Sequence, residues 1–181
     1  VLVASSLDSD VVKRITDGGK VLLTPKLGTL RNEGADSVEV GFSSIFWNTL
    51  WTNGQAPHTL GILCNSSHPA LSLFPTDYHS DYQWWDAMSH CNAVPLRKLG
   101  NAEPIVRIID DWFTGRSFGL LVELKIGKGS VLLCGADLLT DADKRPEAVQ
   151  LMNSLLEYMN SDSFVPSNEV SMEQLRGLFK D

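Results

Sequence analysis

The chain has 181 residues, 43% of them hydrophobic, and a formal charge of −7 from 15 basic and 22 acidic side chains. Its lysines and arginines never run beyond two adjacent residues, which argues against nucleic acid or an anionic membrane surface as partner. No apolar run approaches the ~20 residues of a membrane span, and a chain of this length is expected to form one domain that buries roughly 70% of its unfolded surface.

The chain opens at Val1 inside a strand-like run with no initiator methionine, so it reads as a piece of a longer or processed protein. Residues 1–4 suit a buried strand. Residues 6–17 read as a helix with Leu7, Val11, Val12 and Ile15 on one face, closed by Gly18-Gly19. Lys20-Val21-Leu22-Leu23-Thr24-Pro25 is the next strand. Strand, helix and strand together predict a parallel βαβ unit with a right-handed crossover. Residues 27–36 read as a loop, and the crowded aromatics of 41–58 as a short helix at about 44–52 and a loop. Residues 59–64 form a third apolar strand.

Asn65 to Ser67 cap a short helical turn with Pro69 early in it. The stretch Leu73-Phe74-Pro75-Thr76-Asp77-Tyr78-His79-Ser80-Asp81-Tyr82-Gln83-Trp84-Trp85-Asp86 follows, dense in aromatic, acidic and imidazole groups. Ser80 and Gln83 have capping-box spacing for a helix to about His90. That helix would place Trp84, Met88 and Cys91 on one face and Trp85 about 100° away, so one indole points to the core and the other to an edge or groove.

Beyond residue 104 the pattern changes to strands at 104–110, 118–125 and 130–136, the last two joined by a Gly127-Lys128-Gly129 hairpin. Arg145-Pro146-Glu147 opens a helix with a stripe of Ala148, Leu151, Met152, Leu155 and Met159. Ser171 and Gln174 form a second candidate capping box, stapled by Val170 and Leu175. These elements predict an α/β fold with a mostly parallel sheet, helices on both faces and an antiparallel hairpin toward one edge. Residues 1–165 make the body, and 166–181 a tail with a short helix.

Four chemistries deserve weighing. Cys64 ends a strand near His68 and His79, the ingredients of a thiol hydrolase or amidotransferase, but the local string lacks the glycine of a tight nucleophile elbow. A buried strand-end cysteine is the plainer reading, and Cys91 and Cys134 share no metal spacing with it. Asp77, His79 and Asp81 alternate, yet match no zinc or calcium motif, so neither metal nor cofactor is expected. Asp110, Asp111 and Glu123 supply carboxylates without a visible pairing across a cleft. Trp47, Trp51, Trp84, Trp85 and Trp112, with Asn48, His79, Asp81 and Gln83, could form a stacking platform for sugar, against the plainer reading of core aromatics.

Several strings resemble a known family. Phe46-Trp47-Asn48, Gln55-Ala56-Pro57-His58-Thr59-Leu60-Gly61, His68-Pro69-Ala70-Leu71 and the run from Phe74 to Trp85 resemble the C-terminal region of bacterial multidomain proteins of glycoside hydrolase family 2, the β-galactosidase-like enzymes. Pro104-Ile105-Val106-Arg107-Ile108-Ile109-Asp110, the glycine hairpin and Arg145-Pro146-Glu147-Ala148 fit the same region. The resemblance implies a flavodoxin-like three-layer sandwich of the class I glutamine amidotransferase type. It also implies a periplasmic or extracellular parent whose catalytic glutamates lie in another domain. No catalytic residue is therefore expected here. The expected partners are other domains of the same parent chain or a homo-oligomer, with carbohydrate as the alternative ligand through Trp47, Asn48, His79, Asp81, Gln83, Trp84 and Trp85.

Overall fold

The computed structural model describes residues 1–31, 38–42 and 58–180. Asp8 caps the first helix: its carboxylate accepts from Asp10 N and Val11 N, both at 3.0 Å. This helix, α1 (Ser9–Thr16), joins β1 (Leu2–Ala4) to β2 (Lys20–Leu23), and β1 and β2 pair in parallel, Leu2 opposite Val21. Gly18, at φ +91°, makes the left-handed exit from α1 that lets the chain turn back along the sheet.

Among the described residues, seven strands form one mixed sheet in the order β1-β2-β7-β6-β5-β3, with β4 (Val94–Pro95) paired to β6 off that path. Its remaining strands are β3 (Ile62–Cys64), β5 (Pro104–Ile108), β6 (Phe118–Ile126) and β7 (Gly129–Cys134). Only β1·β2 and β2·β7 are parallel; β3·β5, β4·β6, β5·β6 and β6·β7 are antiparallel. The expectation of a mostly parallel, flavodoxin-like and amidotransferase-like sandwich is therefore overturned. The physical reason lies in the connections. Gly127-Lys128 is a two-residue turn between Ile126 and Gly129, and residues 109–117 are too few for a helical crossover, so both must join antiparallel neighbours. β3, an apolar run in the sequence, pairs antiparallel with β5 and leaves Leu63 exposed between buried Ile62 and Cys64.

Each face of the sheet carries a core. One holds Leu22, Leu132 and Cys134 with Trp84, Met88, Leu151, Leu155 and Met159. It is roofed by α2 (Trp85–Ser89) and α3 (Pro146–Asn160), with Pro146 at the first turn of α3. The opposite core holds Val21, Leu23, Val131 and Leu133 with Val11, Ile15, Leu175 and Leu178, under α1 and α4 (Met172–Arg176). In β6 the alternation slips: Phe118, Leu120 and Leu121 join the first core, while Val122, Leu124 and Ile126 join the second. The register against β5 shifts over the same residues, so a bulge turns the strand between its two halves. Among the described residues no helix is long and apolar enough to cross a membrane.

The tail is integral to the second core. Asn168 Nδ2 donates to Glu103 O and Glu123 O, and Val170, Leu175 and Leu178 are buried. The Ser171–Gln174 capping box is formed in both directions. The box expected at Ser80–Gln83 is not. Ser80 Oγ donates to Phe42 O at 2.6 Å, Gln83 Nε2 donates to Pro75 O, and a 3-10 turn at Tyr82–Trp84 leads into α2 instead. The expected helix at about 44–52 lies outside the described residues.

Candidate functional site

The sheet's parallel part ends at Leu23 and Cys134, and the chain beyond those ends is tightly stitched. Thr24, fully buried, donates from Oγ1 to Ala136 O and accepts there from Leu138 N. Asn92 joins three segments. Its Oδ1 accepts from Gly28 N at 2.8 Å, and its Nδ2 contacts Pro25 O, Lys26 O and Gly135 O at 3.2, 3.1 and 3.3 Å. Arg145 holds the neighbouring loop. Its guanidinium grips Asp86 of α2 through Nε and Nη2, at 2.9 and 2.8 Å, and donates from Nη1 to Asp137 O and Thr140 O.

Between these stitched segments lies a cleft of about 700 Å³. Leu27, Gly28 and Leu30 form one side, residues 38–42 and His58 another, and Trp85, Met88, Ser89 and Asn92 the rest. That volume falls within the range of small-molecule sites, at the position where ligands commonly meet parallel strands. Trp85 is 54% exposed, and its ring meets Phe42 at 5.2 Å and 67°, an edge-to-face contact. His58 Nδ1 lies 2.6 Å from Thr59 O. A carbonyl can only accept, so Nδ1 donates to it and Nε2 is the ring nitrogen that this bond leaves uncommitted.

The structure separates the residues of the expected platform. Trp84 is fully buried, edge-on to Phe74 at 4.9 Å, and its indole N–H donates to Thr76 Oγ1 at 2.7 Å. Asp81 accepts through Oδ2 from Asp77 N at 3.2 Å, while its Oδ1 is buried with no hydrogen-bond partner. Gln83 is spent on Pro75 O. His79 is exposed at the sheet edge, bridged through its backbone to Leu63. Of the named residues in the described part, Trp85 alone lines the cleft; Trp47 and Asn48 lie outside the described residues. Sequence reasoning missed Phe42, His58 and Asn92. Asn92 had a usable signal, a lone amide amid the apolar run from Cys91 to Val94.

The other candidate chemistries are tied up in structure. Burial pushes the Cys64 thiol up to about 12; Thr76 pulls it down by a hydrogen bond, and the Asp81 carboxylate pushes it further up. Burial also raises Cys134 to about 12 and Cys91 well above its usual value. A nucleophilic cysteine needs the reverse, a stabilised thiolate. Glu123 accepts from the Tyr158 hydroxyl. Among the described residues no three His, Cys, Asp or Glu side chains converge as a metal site.

Asp110 and Asp111 brace a loop. Arg116 donates to Asp110 Oδ2 and Oδ1 at 2.9 and 3.0 Å, and to Asp111 Oδ2 at 3.1 Å. Asp111 Oδ1 also accepts from Phe113 N and Thr114 N, both at 2.9 Å. Burial alone would raise the Asp111 carboxyl, but these bonds, the Thr114 hydroxyl and the Arg116 charge hold it below the usual carboxylate range. At the tip of this braced loop Phe113 is 93% exposed and Trp112 67%.

No curated protein matches the chain. The profile of one family, described as a domain of unknown function (DUF8487), matches residues 2–180, and the chain belongs to that family.

Proposed function

We propose that this is a non-catalytic accessory domain that packs against another domain of a longer chain, and that the parent is a glycoside hydrolase of the β-galactosidase type. The observation that carries the packing role is the outer end of the sheet. Leu63 and Arg107 are opposite one another, and strand alternation puts Ile109 on their face. Leu63 and Ile109 are exposed there. Directly after β5 comes the loop that two carboxylates and Arg116 hold rigid, with Phe113 and Trp112 at its tip. Buried polar groups that fix an exposed aromatic loop in one conformation lower the ordering cost of docking it. Aromatics at such positions are the usual anchors of protein contacts. The parent's class rests on the strings at 46–48, 55–61, 68–71 and 74–85 described above.

Phe113→Ser tests the packing role. In the isolated domain this exposed position should change stability by less than about 0.5 kcal/mol. In the parent chain the same change should lower the melting temperature, and protease should cut the domain free sooner. Equal behaviour in both settings would sink the packing role. The parent's class is tested by assaying the full chain for aryl β-galactoside hydrolysis. Activity should persist in the Cys64→Ala variant, because no catalytic group is placed in this domain.

A further inference from the structure

We propose that the cleft beyond the carboxyl ends of β2 and β7 binds a neutral, hydroxyl-rich ring of the pyranoside class, stacked on the Trp85 indole. This goes beyond the packing role, which concerns the edge strand β3 and the exposed loop after β5.

Three properties of the cleft select that chemistry. The first is charge. Among the described residues that line it there is no lysine or arginine. Lys180 reaches Gly28, donating from Nζ to its carbonyl at 2.8 Å, but stands outside the lining. Glu39 supplies negative charge at the rim. Phosphorylated and carboxylate ligands are therefore disfavoured.

The second property is shape. Trp85 offers a half-exposed indole, while Phe42 meets it edge-to-face at 67° instead of lying parallel. Such a corner cannot clamp a flat base between two faces. It can take a ring that presents C–H groups to the indole on one side and hydroxyls on the other. The third is polarity. His58 and Ser89 line the cleft with donors already spent, Nδ1–H on Thr59 O and the Ser89 hydroxyl on Trp85 O at 2.7 Å, and Glu39 adds a carboxylate acceptor. A lining whose polar groups mainly accept suits a ring that brings its own hydroxyl donors. Asn92, with its amide already engaged by four backbone groups, is a positioning residue that holds the cleft's floor.

The cleft is also built to keep its form. Gly41 approaches His58 and Thr59 so closely that a Cβ there would lie 2.1 Å from Thr59 O and 2.2 Å from His58 Nδ1. Gly41 N donates to the Thr59 hydroxyl at 3.0 Å, and Ser80 Oγ ties down Phe42 O. The wall that carries Phe42 is thereby fixed to the segment before β3 and to the approach to α2.

The experiment is calorimetric titration of the 181-residue domain with methyl β-galactopyranoside, methyl β-glucopyranoside and methyl β-N-acetylglucosaminide, backed by saturation-transfer NMR. Choline and inorganic phosphate serve as comparison ligands. At least one pyranoside should saturate at a dissociation constant on the order of 1–10 mM or tighter. Trp85→Ala should weaken it by about tenfold, with the circular dichroism unchanged and the melting transition still cooperative. Glu39→Gln, at an exposed rim position that cannot unfold the domain, should weaken the same pyranoside by several fold. Loss of no affinity in either variant, saturation by choline in preference to every pyranoside, or no saturation by any pyranoside would each overturn the assignment.

Discussion

His68 illustrates how one residue carries structure and pH dependence together. Its Nδ1 accepts from Ala70 N at 3.2 Å and so caps the 3-10 turn at Pro69–Leu71. Its ring stands edge-on to Tyr158 at 5.2 Å. Burial pulls the imidazole below its usual 6.5, and the Glu123 carboxylate only partly opposes this. The neutral ring is therefore what the fold needs. Because the folded value lies below the unfolded one, the unfolded chain takes up a proton first as pH falls. The stability His68 supplies is complete above its unfolded value of 6.5 and is lost progressively below it. His68→Asn keeps a capping acceptor and removes the titration. The urea midpoint of the variant should thus change less between pH 7 and pH 5 than that of the parent sequence. Equal slopes would remove His68 from the pH response. Near pH 4 the depressed carboxyls of Asp111 and Asp137 add a second loss, in both proteins alike.

At the level of elements, local signals were legible where the partner lay within a few residues. Ser171 and Gln174 pair with each other's backbone, and that box forms as spaced. Ser80 and Gln83 have the same spacing, but their side chains are claimed by Phe42 O and Pro75 O, partners that no short window contains. The hairpin at Gly127-Lys128-Gly129 was legible as a turn, yet its glycines serve different ends. Gly127 sits at φ +56° in open space, where asparagine is tolerated. Gly129 lies under α1, and a Cβ there would stand 2.2 Å from Ile15 O. Gly129→Ala must push helix from sheet, and should cost about 1–3 kcal/mol as overpacking does. Gly127→Asn should cost a few tenths of that. Urea denaturation of the two variants measures the contrast; a Gly127 variant as damaged as Gly129→Ala would mean that turn geometry, not helix packing, sets the requirement.

For the molecule as a whole, the βαβ start and the late hairpin were legible because each is a contiguous pattern. The sheet's overall sense was not. Whether β3 runs with or against β5 depends on a pairing across more than forty positions, and an apolar run buried by either partner reads the same. The cleft was half legible, because Trp85 stands out in the sequence whereas Phe42, His58 and Asn92 meet it only through the fold. The last sixteen residues make the same point about domain limits. In the sequence they read as a tail with a short helix, but Val170, Leu175 and Leu178 are 8%, 0% and 0% exposed and close the core over β2, β7 and β6. Their strand-like contacts are also mutual: Lys125 N donates to Asn168 O, Val170 N to Lys125 O, and Arg31 N to Leu178 O. Each fully buried aliphatic side chain contributes about 1.5–3 kcal/mol, so the three together rival the 5–15 kcal/mol net stability of an ordinary domain. A chain ended at residue 165 should therefore lose its cooperative thermal transition and expose its second core to a hydrophobic dye. Supplying residues 166–181 as a separate peptide should restore the transition in a concentration-dependent way. A truncated chain that melts cooperatively without the peptide would return those residues to the status of a tail.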